Sequence, residues 1–156
     1  MQRLLYVVGA LTVTAILITS VGVGMLVYKS RGLDAESKAF VNSAVPAIVA
    51  KWNKEQLLNR GTPELRESVT PDELSALFHD WSRLGPLVKY EGATGESTVS
   101  YFLGSGGTVS ALYVAKALFQ NGDATFKIIL KKRDGRWMIH NFQVHGTQDS
   151  KSAQRT

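Results

Sequence analysis

Three rhythms of hydrophobic and polar positions succeed one another along this chain. From Leu4 to Tyr28 there is no charged residue at all (LLYVVGALTVTAILITSVGVGMLVY). From Leu33 to Asn59 the apolar residues Phe40, Val41, Ala44, Val45, Ile48, Val49, Trp52, Leu57 and Leu58 recur at a spacing of about 3.6, which predicts a helix. Pro46 lies inside that pattern and is expected to kink or divide it, because its ring removes a backbone donor and crowds the preceding turn. From Leu87 onward the spacing falls to two, the rhythm of strands.

Local punctuation sharpens these elements. Asp34 is a plausible N-cap for the first helix, and Asn59-Arg60-Gly61 closes it. Thr62-Pro63-Glu64 opens a short second helix. Thr70-Pro71 with Glu73 is a capping box that opens a helix over 71–84, stopped by Gly85-Pro86. Leu74, Leu77, Phe78, Trp81 and Leu84 form its apolar stripe. Strands are predicted at Leu87–Tyr90 and Ser97–Leu103 around a Gly92–Glu96 turn, then at Thr108–Phe119, Ala124–Lys132 and Arg136–His145. Asn121-Gly122 and Asp134-Gly135 are the tight hairpin signals between the last three. In the last strand Trp137 and Ile139 share one face while Phe142 and Val144 share the other. A β-bulge at His140-Asn141 is expected to bring all four to one side. Thr147–Thr156 is polar and predicted to be a disordered tail.

At about 1.5 Å per residue the charge-free run is long enough to cross a hydrocarbon core of roughly 30 Å. It exceeds the apolar region of a signal peptide, about 7–15 residues, and Gly22-Val23-Gly24 is a poor cleavage site, so an uncleaved anchor is expected. Arg3 on one flank and Lys29 and Arg31 on the other nearly balance, so the orientation rests on the long C-terminal domain. The expected layout is a cytoplasmic 1–3, a transmembrane helix 4–28, a domain over 33–146 and the tail 147–156. That layout implies a single-pass protein of a bacterial inner membrane with its domain in the periplasm.

The net charge of +5 changes little once dissected. Arg3, Lys29 and Arg31 flank the apolar run, and the rest of the chain carries an excess of about two positive charges. This is weak ground for a nucleic-acid partner, and none is expected. Lys127, Lys131, Lys132, Arg133 and Arg136 crowd the last hairpin and form the candidate basic surface, either a solvated tip or a contact for headgroups or an acidic partner. There is no cysteine, hence no thiol nucleophile and no lipoprotein anchor.

Helices followed by antiparallel strands indicate an α+β domain, with helices packed on a strongly bent, cone-like sheet. The kinked first helix before two shorter ones, and the closing Lys131-Lys132-Arg133-Asp134-Gly135-Arg136-Trp137-Met138-Ile139 hairpin, resemble the nuclear transport factor 2-like superfamily, also called cystatin-like or ketosteroid isomerase-like. The resemblance covers about Leu33 to Gly146. It implies a cone whose interior serves small-molecule enzymes and binding domains, or a sheet that serves assembly. It also implies a layout similar to the bitopic inner-membrane assembly component of type IV secretion systems.

A catalytic reading needs an acid or base facing an apolar pocket. Trp81, Tyr90, Tyr101, Tyr113 and His140 are the residues that would line such a pocket. His79 and Asp80 are adjacent on a helix, about 100° apart, and do not face each other. His140 and His145 point to opposite faces of an unbulged strand, and a bulge reverses that parity. No acidic residue in the strand completes a metal site, and neither metal nor cofactor is expected. Gly104-Ser105-Gly106-Gly107 leads into a strand and lacks the Lys-Ser/Thr of a phosphate loop, and Gly95-Glu96-Ser97-Thr98-Val99 fails the nucleophile-elbow pattern. The expectation is a membrane-anchored, non-enzymatic domain that binds a protein partner or forms a homodimer. An isomerase- or dehydratase-like cone and a secretion-apparatus component are the alternatives.

Overall fold

The computed structural model describes residues 32–102 and 106–148, with side chains for 32–100 and 107–146. The segment 4–28, the stretch 103–105 and the end of the tail lie outside the described residues. Among the described residues no helix is long and apolar enough to cross a membrane. Chain contacts separate Met1–Leu33 from a compact unit, Asp34–Thr156, and the fold below is that of the second unit.

The unit is α+β. Helix α1 covers residues 32–49, followed by α2 (Lys54–Arg60), α3 (Pro63–Glu67) and α4 (Pro71–Ser82). Four strands follow: β1 (Leu87–Phe102), β2 (Gly106–Phe119), β3 (Gly122–Arg133) and β4 (Arg136–Gln148). They form one antiparallel meander in the order β1-β2-β3-β4.

Helix α1 passes through Pro46 and ends one turn later. Ala50 N–H still reaches the Pro46 carbonyl, 2.9 Å away. The break comes at Trp52, whose φ of 47° is left-handed. Asn53 N–H bonds the Ile48 carbonyl and Trp52 N–H the Val49 carbonyl, the paired bonds of a Schellman cap. An indole in the position usually given to glycine costs about 1–2 kcal/mol. Its stacking on Phe119, centroids 5.1 Å apart, and a 3.2 Å hydrogen bond to the Gly85 carbonyl offset that cost. Asp34 is not an N-cap but a helical residue. Its carboxylate accepts the Ser97 amide, 2.7 Å, and the Ser97 hydroxyl, tying α1 to β1.

The caps of α3 and α4 form as expected. Thr62 accepts from Leu65 N–H, and Thr70 and Glu73 complete the reciprocal box. Leu74 and Phe78 are buried, but Leu77 is exposed at the margin of the stripe. The Gln120–Asn121 turn docks on the end of α4, with Asn121 N–H on the Leu84 carbonyl and its side-chain amide on that of Arg83. These bonds satisfy carbonyls that a helix terminus leaves open.

Gly92–Glu96 is not a turn. β1 runs through it, with register shifts at Leu87/Lys89 and Tyr90/Gly92. Gly92 takes φ 96° at the second bulge. At Gly95 a Cβ would stand 2.0 Å from the Leu112 carbonyl oxygen, so glycine here admits the neighbouring backbone. Asp134 (φ 51°) and Gly135 (φ 74°) make the mirror-image turn of a two-residue hairpin.

The bulge in β4 falls where the parity switch predicts it. Ile129 pairs with Asn141 and Leu130 with Ile139, which leaves His140 as the extra residue. Trp137, Ile139 and Phe142 are consequently all buried on one face. Thr147 and Gln148, assigned to the tail from sequence, pair with Asp123 and Gly122 and extend β4.

Candidate interaction surface

The inner face of the sheet is filled. Tyr113, Ala115, Phe126 and Leu130 are 0% exposed, and Val41, Ala44, Val45 and Ile48 of α1 cover them. The Tyr113 hydroxyl lies 2.9 Å from that of Ser37, and both lie within reach of the Asp34 carbonyl. One hydroxyl donates to the other, and the remaining proton goes to the carbonyl. Burial pushes the Tyr113 phenol up from its ordinary pKa. At the end of the sheet bearing the β2–β3 turn, Trp52, Phe119, Phe126, Phe142, Trp81 and Phe78 form a continuous chain of ring contacts, centroids 5.1–6.3 Å apart.

The five residues proposed from sequence to line a pocket do not meet in one place. Trp81 belongs to the ring chain. Tyr113 is core. Tyr90 is half-buried and donates to Asn42 Oδ1, 3.0 Å, which also receives the Ala93 amide at 3.1 Å. Burial pushes its phenol up to about 12. The side chain of Tyr101 lies outside the described residues. His140 sits at the β4 edge, its Nδ1 3.3 Å from the buried Thr62 hydroxyl. Partial burial, then Lys131, lowers its pKa. His79, Asp80 and His145 are exposed. Among the described residues no three His, Asp or Glu side chains gather as a metal site would require.

The basic residues also divide. Lys132 pairs with Glu36 of α1 and lies over the Trp137 ring, 5.5 Å from its centroid. Arg133 pairs with Glu64 of α3. The Glu64 carboxyl is held at about 2 by its own amide N–H and then by Arg133. The Glu36 carboxyl is lowered mainly by Lys132. Lys131 and Arg136 have no acidic partner among the described residues. Lys127 is not at the tip; it stands mid-strand, between Val114 and Gln143.

Among the described residues, three of the exposed large hydrophobic side chains cluster on the outer face of the sheet. Strand alternation sends Leu112, Val114, Lys116 and Leu118 outward, and Leu112, Val114 and Leu118 are 46%, 37% and 39% exposed. Ile129, directly across from Leu112, is half-buried on the same face. Beside them Thr94, Gly95, Glu96 and Thr98 of β1 line a shallow hollow of ≈ 510 Å³ with Leu112 and Val114. Sequence reasoning missed this surface. The signal was the alternation in Ser-Ala-Leu-Tyr-Val-Ala-Lys-Ala-Leu-Phe, where the larger aliphatics oppose the alanines.

The register sets charges around the patch. Glu96, Leu112, Ile129 and Asn141 form one row across the sheet; Lys127 lies in the row on one side and Lys131 in the row on the other. Glu96 on β1 therefore flanks one side of the patch, and Lys127 and Lys131 on β3 flank the other. Comparison with known proteins adds no relative: no family model, no curated protein and no solved structure matches the chain.

Proposed function

We propose that this chain is a membrane-anchored, non-catalytic envelope domain that assembles with a second copy of itself through the outer face of its sheet. The observation that carries the reading is the exposed aliphatic patch of Leu112, Val114 and Leu118 on a sheet whose inner face is already filled. Aliphatic side chains clustered on a solvent-facing sheet gain free energy by being covered. The charge pattern favours a second copy as the cover. A two-fold axis along β2 sets β1 of one copy over β3 of the other, so each Glu96 meets Ile129 between Lys127 and Lys131 of its partner. The charge-free run 4–28 supports the membrane anchor and, with the long domain after it, the periplasmic side. The helices-then-meander order and the bulged last strand support a nuclear transport factor 2-like cone.

The test is the mass of the full chain extracted from membranes in mild detergent. The wild type is expected to sediment as a dimer and the Leu112→Glu/Val114→Glu variant as a folded monomer. A monomeric wild type, or a dimer unmoved by the substitutions, overturns the reading. A stable complex with a different protein through the same residues overturns self-assembly and leaves the face.

A further inference from the structure

Thr62 is the junction between α3 and β4, and it is 0% exposed. Its N–H bonds the Ile139 carbonyl at 2.8 Å, and its own carbonyl takes the Arg66 N–H at 3.2 Å. Its hydroxyl oxygen accepts the Leu65 N–H, 3.2 Å away, and so caps α3. The Nδ1 of His140, the extra residue of the β4 bulge, lies 3.3 Å from the same hydroxyl. A hydroxyl has one proton to give. Two acceptors face it, Nδ1 and the Glu64 carboxylate. Glu64 already takes its own amide N–H and the Arg133 guanidinium, whereas no other donor reaches Nδ1 among the described residues. The hydroxyl proton therefore goes to Nδ1, and the ring carries its own proton on Nε2.

We propose that His140 and Thr62 form an acid-released latch between the β4 bulge and the start of α3. The latch depends on neither the membrane anchor nor the outer face of the sheet. In the neutral ring Nδ1 is an acceptor and the latch is closed. A proton on Nδ1 makes it a donor. The hydroxyl must then turn its own proton to Glu64 and take two donors, Nδ1–H and the Leu65 N–H, on one oxygen. The new charge also stands beside Lys131 and Arg133 of β3, with Glu64 of α3 opposing them. Arg60 of α2 and Arg66 of α3 are turned to backbone carbonyls, those of Gln56 and Gly61. Burial first, and then Lys131, hold the folded ring's pKa below the ordinary 6.5. By linkage the latch's contribution is whole above 6.5 and is lost as pH falls through the lowered folded value. What opens is the Gly61–Thr62 link, which covers the free edge of β4 at Ile139.

The test is nuclear magnetic resonance of the full chain in mild detergent, followed from about pH 8 to about pH 5. Ring nitrogen shifts read the tautomer and charge of His140, and the protection factor of the Leu65 amide reads the latch. The neutral ring is expected to carry its proton on Nε2. Leu65 protection is expected to fall several-fold as the ring takes a second proton. His140→Gln keeps an acceptor for the hydroxyl without a titrating charge, and should hold Leu65 protected across the whole range. Thr62→Val deletes the hydroxyl at nearly constant size. It should raise the His140 midpoint and leave Leu65 poorly protected at every pH. Should that variant fail to fold, the wild type and His140→Gln decide. A neutral ring protonated on Nδ1 overturns the proposal. So does Leu65 protection that ignores the charge on His140, or that falls equally in His140→Gln.

Discussion

Strand β2 presents Ala111, Tyr113, Ala115, Ala117 and Phe119 to the helices, and Leu112, Val114, Lys116 and Leu118 to the outside. The usual distribution of bulk is reversed over much of its length. Alanines on the inner face leave room for α1 to lie close to the sheet, and Tyr113 reaches from among them to Ser37 and Asp34. On the outer face, leucine and valine stand at positions where a solvated strand would carry threonine or charge. The inner face is buried within one chain, whereas the outer aliphatics stay exposed among the described residues. This difference separates residues that hold the fold from the residues to which the self-assembly proposal assigns a role.

Truncating the inner face should have the largest effect. Phe126→Ala removes a ring fully enclosed between Phe119 and Phe142, and is expected to lower unfolding stability by about 3–5 kcal/mol in urea titrations. A loss under 1 kcal/mol would mean the interior is not packed as described. Next comes a pair of neighbours on opposite faces. Ala115→Leu overfills the space beneath α1 and should cost about 1–3 kcal/mol. Val114→Ser, one residue away, should change monomer stability by no more than about 0.5 kcal/mol. Equal costs at the two positions would erase the comparison.

Gly95→Ala probes a point of β1 where an added Cβ would run into the backbone of β2. Its added carbon meets the Leu112 carbonyl oxygen at 2.0 Å and the Tyr113 Cα at 2.8 Å. Backbone strain of this kind costs about 1–3 kcal/mol. Hydrogen exchange should show faster opening of β1 and β2 near that site, while the β3–β4 amides stay protected.

The smallest effect concerns pH. Glu64 has a folded pKa of about 2 against an ordinary 4.5, so the folded state holds fewer protons than the unfolded one in that window. Its contribution to stability is fully present above pH 4.5 and drains away as pH falls through about 2. Arg133→Ala should raise the midpoint only part of the way toward 4.5, because the Glu64 amide remains. Carboxyl chemical shifts measured against pH would read both midpoints, and an unmoved midpoint would remove Arg133 from the account.

Sequence made the punctuated elements legible because their signals are local. Thr70, Pro71 and Glu73 sit within one turn, Asp134-Gly135 fits the mirror-image hairpin, and the parity switch around His140 admits one cure. Glycines misled where their use was non-local: Gly95 accommodates a strand distant in sequence rather than turning its own. The helix expected over 33–59 divides after Val49 rather than at Pro46, because a left-handed Trp52, held by Phe119 and Gly85, supplies the stop. The outer patch was only half legible: the alternation in β2 tells which residues share a face, and the packing of the helices decides which face is covered.

The most direct test of the outer face as a self-assembly surface is cross-linking between copies. Glu96→Cys and Ile129→Cys chains, each with its own tag, would be expressed together and treated with a short bifunctional thiol reagent in native membranes. The account predicts a mixed dimer carrying both tags, abolished by Leu112→Glu/Val114→Glu. Absence of the mixed dimer, with both thiols reactive toward a monofunctional reagent, would contradict it.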